Sequence, residues 1–210
     1  HCDFEQKSNR LLQTEFVATL TEKRAFSAVN CEKIDLQHTT FLNLSSEENG
    51  GAISVVQNKD SEKPTSLSIT NGRFDGCTAA ALGGAIFLQD VRVSIFDTSQ
   101  WNGNRAQHGG AVYFDCSTTE NNICGLTFKN AIVISNNSAA NEGGGGGGIK
   151  WTSIEPTFTD AQMSFNGNTA DFGPNVVGAK DSVYKVDSEA TKEVFAPKFK
   201  PYGAIRGDEN

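Results

Sequence analysis

Residues 101–114 read Trp-Asn-Gly-Asn-Arg-Ala-Gln-His-Gly-Gly-Ala-Val-Tyr-Phe, and this stretch decides the fold because its pattern recurs along the chain. It joins an aromatic residue followed by Gly-Asn-x-Ala to a glycine pair followed by alanine and a hydrophobic residue. Imperfect copies of the first signature begin at Phe41, Phe74, Trp101, Ile134 and Phe165. Repetition at an interval of about 30 residues is typical of solenoids and related repeat architectures.

A glycine pair or its remnant follows each copy: Gly50-Gly51, Gly83-Gly84, Gly109-Gly110, the run 143–148, and Gly173-Pro174. Between these pairs the chain shows short alternating runs such as Ile53 to Val56, which indicate strands, and no helical periodicity. A repeat of this length cannot bury its own hydrophobic side, so its copies must stack. The repeats therefore predict an all-β parallel β-helix, a solenoid of about five coils.

The repeated positions have structural roles in such a stack. The residues that begin each copy are expected to form one mostly aromatic stack inside the helix, and Asn104, Asn137 and Asn168 to form an amide ladder. The glycine pairs supply positive φ or close approach of backbone at a corner. Inward pairs such as Ile86 and Leu88 leave Ser54, Phe87, Tyr113 and Lys150 on the outer face of one strand column.

The repeats also suggest the boundaries of the domain. Residues 1–30 carry no copy of the repeat and are interpreted as an N-terminal cap, followed by β-helix repeats over 31–180. Residues 181–210 are polar and are expected to form a C-terminal cap or an inter-module arm. Caps are required because the open end of a sheet stack exposes unpaired N–H and C=O groups.

Composition limits the partners. The net charge is −7, and no cluster of Lys or Arg forms a basic stripe, so binding to nucleic acid is not expected. No apolar stretch is long enough to span a bilayer, so no membrane span is expected in this chain. The first residue is His1 rather than Met, which favours a processed or excised start.

The five cysteines and two sequons bear on the cellular compartment. Cys116 and Cys124 flank a polar insertion that suits a loop-closing disulfide, and Cys2 with Cys31 is a second predicted pair. Cys77, inside the asparagine ladder, is expected to be a buried free thiol. The sequons at Asn43 and Asn136 predict N-glycosylation if the chain is secreted by a eukaryote.

The alternating Gly-Gly-Ala-[Ile/Val] and Phe-x-x-Asn motifs resemble the repeat of the chlamydial polymorphic membrane proteins and of similar surface proteins of protists. The resemblance covers about residues 41–178, with Trp101 in a Phe position and Cys77 in an Asn position. It implies a right-handed parallel β-helix exposed at a cell surface, with an adhesive or structural role. With the sequons and cysteines, it predicts an extracellular glycoprotein or one module of it.

Three functions remain to be separated. Parallel β-helices include pectate lyases and polygalacturonases, but the acidic residues here are expected to be scattered over different phases of the repeat. No catalytic, metal or cofactor-binding residue is therefore predicted. A glycan-binding surface is the alternative, with an aromatic strip of Phe87 and Tyr113 and the copy-specific Arg105 and His108. Self-assembly into a coat or filament through the β-helix ends, or binding of a protein partner there, is the third expectation.

Overall fold

The computed structural model describes residues 10–12, 15–17, 24–58, 61, 64–117, 124–140, 144–152 and 154–178. Within these ranges the chain is all-β, without helices, and its 19 strands stack as a parallel β-helix of about four turns. The predicted fold class is confirmed. The count of about five coils is slightly too high because the strands at each end belong to incomplete turns.

Each turn of the helix crosses three sheets in which every pair of neighbouring strands is parallel. The broad sheet contains nine strands, with short strands in the early turns and long ones that run around a bend in the later turns. Its strands are β1 (Arg10–Leu12), β2 (Glu15–Val17), β4 (Ile34–Gln37), β5 (Thr40–Leu42), β8 (Ser66–Thr70), β9 (Arg73–Asp75), β12 (Val93–Asn102), β15 (Leu126–Ser135) and β18 (Thr157–Asn166).

The other two sheets complete the turn. The narrow sheet consists of β6 (Ser45–Ser46), β10 (Thr78–Ala79), β13 (Arg105–Ala106) and β16 (Ser138–Ala139). The closing sheet consists of β3 (Phe26–Val29), β7 (Ile53–Val56), β11 (Ile86–Gln89), β14 (Val112–Asp115), β17 (Ile149–Trp151) and β19 (Val176–Val177). The chain passes from broad to narrow to closing sheet in every complete turn.

The N-terminal region continues the same architecture as far as it is described. Strands β1, β2 and β3 lie within the predicted cap of residues 1–30, and they pair in parallel with β4, β5 and β7. The sequence of this region lacks the repeat motif, yet its strands align with those of the first complete turn. The predicted C-terminal cap or arm, 181–210, lies outside the described residues.

In four successive turns, a residue with left-handed backbone conformation forms the bend between the two halves of the broad sheet. His38, Asn71, Thr98 and Asn130 occupy this place, with φ of 52°, 54°, 45° and 55°. Asparagine and histidine tolerate left-handed backbone better than most residues. The repeat motifs do not mark this bend, because its residue changes from turn to turn and only its backbone conformation is kept.

The glycine pair that precedes β7, β11, β14 and β17 has two separate roles. Gly109 has a φ of +63°, which a side chain would strain, whereas Gly110 lies against the next turn. A Cβ on Gly110 would come within 2.2 Å of the Gly147 carbonyl oxygen. Both predicted reasons for the pair are confirmed, one for each glycine.

The interior consists of side-chain ladders that run from turn to turn. The predicted aromatic stack is present: Phe41 and Phe74 lie with ring centroids 4.7 Å apart, and Phe74 and Trp101 lie 5.7 Å apart, both nearly parallel. Ile134 and Phe165 continue the column in register with Trp101. Stacked rings bury apolar surface and add a specific ring–ring attraction.

A buried amide ladder runs beside the aromatic stack, as predicted. The Asn137 Oδ1 atom accepts hydrogen bonds from the Asn104 backbone N and Nδ2 at 2.9 and 2.8 Å. Asn168 Oδ1 accepts the same two bonds from Asn137. Cys77 ends the ladder, because its backbone N donates to Asn104 Oδ1 while its side chain offers no amide. The ladder satisfies the backbone of a corner that would otherwise be buried without partners.

Candidate functional site

The aromatic strip of Phe87 and Tyr113 exists but is not open to solvent. The two residues are direct neighbours on β11 and β14, and their ring centroids lie 6.0 Å apart. Phe87 is only 4% exposed, however, and Tyr113 only 8%. Two interpretations of these rings are possible, an open strip for a ligand and a covered patch, and their burial favours the covered patch. The alternation along the strands correctly predicts that both rings lie on the outer side of the sheet, but it does not predict that they are buried there.

His108 and Tyr113 meet in a polar cluster through Lys150, which the sequence placed on the same outer face. The His108 Nδ1 atom accepts a hydrogen bond from the Gly145 backbone N at 3.2 Å and lies 3.1 Å from Lys150 Nζ. That Nζ lies 6.0 Å from the centroid of the Tyr113 ring and 5.8 Å from that of Phe172. We call these four residues, His108, Tyr113, Lys150 and Phe172, the lysine cluster.

Burial shifts the titration of the lysine cluster. It lowers the pKa of His108, and the neighbouring Lys150 charge lowers it further. Burial also lowers the pKa of Lys150 and raises the pKa of Tyr113, with the charge of Asp115 adding to the latter. Each shift disfavours the charged form of its group, so the cluster favours a neutral imidazole whose Nδ1 accepts hydrogen bonds. Sequence reasoning did not connect Phe172 with this cluster, because a bridge between Gly145 and Phe172 brings it there.

Arg105 lies apart from the lysine cluster, in a surface groove along the narrow sheet. The groove has a volume of about 680 Å³ and follows equivalent positions of successive turns. Its walls are hydroxyl, amide, guanidinium and alanine side chains: Thr78, Ala79, Ala80, Arg105, Ala106, Gln107, Ser138, Ala139, Ala140 and Thr169. Arg105 Nε donates to Ser138 Oγ at 3.2 Å, which holds the guanidinium along the groove.

The predicted recognition residues thus separate into two places. Phe87, His108 and Tyr113 lie on the outer side of the closing sheet, whereas Arg105 lies in the groove of the narrow sheet. The sequence signal for the groove is the set of alanines that follow the corner residues Gly76, Gly103 and Asn136 by three or four positions. Small side chains on a stack of short strands leave space at the surface of the sheet. The spacing of the alanines in the sequence does not by itself predict a groove.

The acidic residues are less scattered than the sequence suggested. Asp97, Lys129 and Asp160 occupy one register position on the three long strands β12, β15 and β18. The Cα atoms of the two aspartates are thus two strand spacings apart, about 10 Å, and Lys129 occupies the equivalent position on the strand between them. The expectation that these acids lie at different phases is wrong, because the bulge at the bend shifts the count along the strand. The residues that line the described groove do not include them.

Both predicted glycosylation sites lie at a left-handed corner. Asn43 and Asn136 are exposed, and each has a φ of 55°. Gly76, Gly103 and Gly167 occupy the same position of the other turns, also with positive φ. Asparagine therefore has a conformational reason to be there, since it tolerates this region better than other residues with side chains. Glycosylation of the two sites stays a prediction.

The cysteines follow the predicted pattern where they are described. Cys116 and Cys124 form a disulfide with a Cα–Cα distance of 6.0 Å. Cys31 is also disulfide-bonded, whereas Cys2, its predicted partner, lies outside the described residues. Cys77 is a buried free thiol, as expected, and burial raises its pKa to about 12. Its sulfur is thus a protonated, unreactive thiol that packs inside the helix.

Comparison with known proteins does not extend these observations. The part of the chain that the structure describes contains no helix that could span a bilayer. The likeness to the polymorphic membrane protein repeat rests on the motifs alone and stays a prediction. No family model, curated protein or solved structure matches the chain.

Proposed function

We propose that this chain is a non-enzymatic extracellular surface protein, or a module of one, that serves as a structural and adhesive β-helix and assembles through its ends. The observation that carries the proposal is the continuity of the interior ladders. In the aromatic stack and the asparagine ladder, the repeated side chains pack against and hydrogen-bond to their equivalents in the next turn, so their role is to join successive turns. Such a column is a building unit whose length grows with the number of repeats.

The last long strand supports assembly through an end. Strand β18 pairs with β15 along one edge, and no other described strand pairs with its second edge. A long strand edge is a template for pairing with another chain. Because interior ladders repeat with every turn, a second copy placed on this edge would continue the same stacking. The two aspartates at one register position also fit a non-enzymatic role, since Lys129 occupies that position on the strand between Asp97 and Asp160.

Assembly through the β18 edge is tested by substituting lysine for a buried residue of that strand. Ala161 is buried on β18, whereas its neighbour Gln162 is exposed on the same strand. An inward-pointing lysine on an edge strand opposes pairing, because continued stacking would bury its charge. We expect wild type to associate with rising concentration in sedimentation velocity, Ala161→Lys to stay monomeric, and Gln162→Lys to behave as wild type.

The circular dichroism spectrum and the melting temperature of each variant accompany the sedimentation experiment. Wild type that remains monomeric at all concentrations would contradict assembly through the ends. So would a folded Ala161→Lys variant that associates as strongly as Gln162→Lys.

Glycan binding is the second candidate, and the groove of the narrow sheet is the observation that favours it. Its hydroxyls, Gln107 and the Arg105 guanidinium offer the donors and acceptors that sugar hydroxyls use, while its alanines leave room for a chain. The proposed site moves from the covered aromatic strip to this groove. A carbohydrate-active enzyme of the pectate-lyase kind remains the less supported form of this alternative.

A glycan array with matched arginine variants tests the groove. If glycan binding is the function, Arg105→Ala weakens array binding at least about tenfold, because it removes the only charged donor among the groove-lining residues. Arg92 is exposed and does not line the groove, so Arg92→Ala should bind as wild type does. Absence of array binding by wild type, or equal binding by both variants, would count against this candidate.

A further inference from the structure

Three buried side chains with metal-binding atoms meet where two successive turns leave the closing sheet. Asp90 follows β11, Cys116 follows β14, and Cys124 precedes β15. Their ligand atoms all lie within 4.8 Å of one another, and all three residues are buried. Asp90 Oδ1 lies 3.9 Å from Cys124 Sγ. Thiolate and carboxylate are donors that zinc accepts, so the group has the composition of a metal site when the sulfurs are reduced.

Asp90 is a buried acidic residue whose hydrogen-bond donors are neutral groups. It is 4% exposed, and its Oδ1 atom accepts two hydrogen bonds of 2.6 Å, from the Ser117 backbone N and from Ser117 Oγ. Both donors are neutral. The ion pairs recorded among the described residues are elsewhere, at Arg24–Glu48 and Arg73–Asp75. A buried carboxylate without a cation is costly, and a metal ion at this place would supply the missing positive charge.

We propose that the reduced form of the Cys116–Cys124 pair, together with Asp90, binds a thiophilic divalent cation such as Zn²⁺. Two sulfurs and one carboxylate oxygen supply three ligands, and water completes a tetrahedral set. With Zn–S bonds of about 2.3 Å, the two sulfurs of a tetrahedral ion lie about 3.8 Å apart. The Cα atoms, 6.0 Å apart, are close enough for both side chains to reach one ion after a small rotation.

The disulfide and the metal site exclude each other. A dithiol reductant transfers two electrons and two protons to the disulfide, which becomes two thiols while the reductant becomes a disulfide. Zn²⁺ then displaces both thiol protons and binds the two thiolates. In the oxidised form the sulfurs are bonded to each other and carry no thiolate charge. The bound metal would therefore hold the thiols reduced. After its loss, a disulfide oxidant can re-form the Cys116–Cys124 bond by thiol–disulfide exchange, accepting the two electrons and two protons and becoming a dithiol.

The proposal is tested on the full chain, reduced with a phosphine so that no added thiol competes for metal. Co²⁺ is titrated first, because cobalt–thiolate bonds absorb in the near ultraviolet, and Zn²⁺ is then used to displace it. We expect one equivalent of Co²⁺ with thiolate absorption in the reduced protein and none in the oxidised protein. The buried thiol of Cys77 and the Cys31 sulfur remain in a Cys116→Ser/Cys124→Ser variant, which should show no thiolate absorption.

Asp90→Asn tests the carboxylate with little risk to the fold, because Asn still accepts the bonds from Ser117 and tolerates the φ of 55° at this position. We expect it to weaken Zn²⁺ binding at least about tenfold. Asp160→Asn, at an exposed carboxylate, should bind as wild type does. The proposal is overturned if reduced, folded wild type binds no metal, if Asp90→Asn binds as tightly as wild type, or if the double serine variant keeps the absorption.

Discussion

At the scale of single residues, the side chains specific to one turn have the most distinctive chemistry. His108 is such a residue, since the other turns have no histidine at its position. Its Nδ1 atom accepts from the Gly145 backbone N and lies beside Lys150 Nζ, so only an imidazole that is unprotonated at Nδ1 fits this place. Protonation would both remove an acceptor and set two positive charges side by side.

The lysine cluster therefore predicts a loss of stability in acid. The folded state lowers the pKa of His108 below 6.5, so the unfolded chain binds a proton more readily than the native one. The contribution is complete above about pH 6.5 and is lost progressively as the pH falls through that value toward the lower native pKa. We expect the free energy of unfolding in urea to fall between pH 7 and roughly pH 5 in wild type.

A matched pair of variants assigns that pH dependence. Gln at position 108 can accept the same hydrogen bonds but does not titrate, so His108→Gln should flatten the curve in this range. His38 is exposed and has a φ of 52°, so His38→Asn keeps its backbone conformation and should leave the curve as in wild type. An unchanged slope in His108→Gln would contradict the assignment to His108.

At the scale of elements, the distance between turns is set by backbone contact rather than by side chains. The second glycine of each pair lies against a carbonyl of the following turn: a Cβ on Gly51, Gly84, Gly110 or Gly147 would come within 2.0 to 2.4 Å of a backbone oxygen. Such contacts occur at one corner of every turn. The glycine pair is therefore what allows strands of the closing sheet to keep the normal spacing of a parallel sheet.

Substitution at one of these glycines tests the role of the corner. We expect Gly110→Ala to lower the free energy of unfolding by about 3 kcal/mol, because its Cβ would overlap the carbonyl oxygens of Gly147 and Ser138 and backbone must shift. Gly125 is the matched control, since a Cβ there meets its nearest atom, the Arg92 oxygen, at 3.7 Å. Urea unfolding measures both. Equal stability of Gly110→Ala and Gly125→Ala would show that the turns separate without cost.

An irregularity in β12 explains why the acidic residues were expected at different phases of the repeat. Asp97, Lys129 and Asp160 share a register position because of a bulge at the bend of β12, where Thr98 has no partner in the register with β15. The sequence position of a residue relative to the repeat motif does not reveal such a bulge, because the bulge changes the number of residues between the bend and the motif. Alternation along a strand is a local property, and it predicted the inward and outward sides of β11 and β14 correctly.

At the scale of the whole molecule, the ladders join all turns into one unit. The aromatic stack, the asparagine ladder and three parallel sheets each run from turn to turn, so each turn is stabilised mainly by its neighbours. The first strands of the chain join these sheets although their sequence lacks the motif. Pairing between backbones requires no particular side chain, which explains how a turn without a recognisable repeat can continue the stack.

The sequence by itself determined the repeat, the strand faces, the aromatic and asparagine ladders, and the need for a glycine pair at one corner. These are properties of positions that must be similar in every turn, so repetition makes them visible. Only the tertiary structure decided the cover over Phe87 and Tyr113, the groove beside Arg105, the lysine cluster, and the meeting of Asp90 with Cys116 and Cys124. Each of these depends on residues that differ between turns and that become neighbours only through stacking.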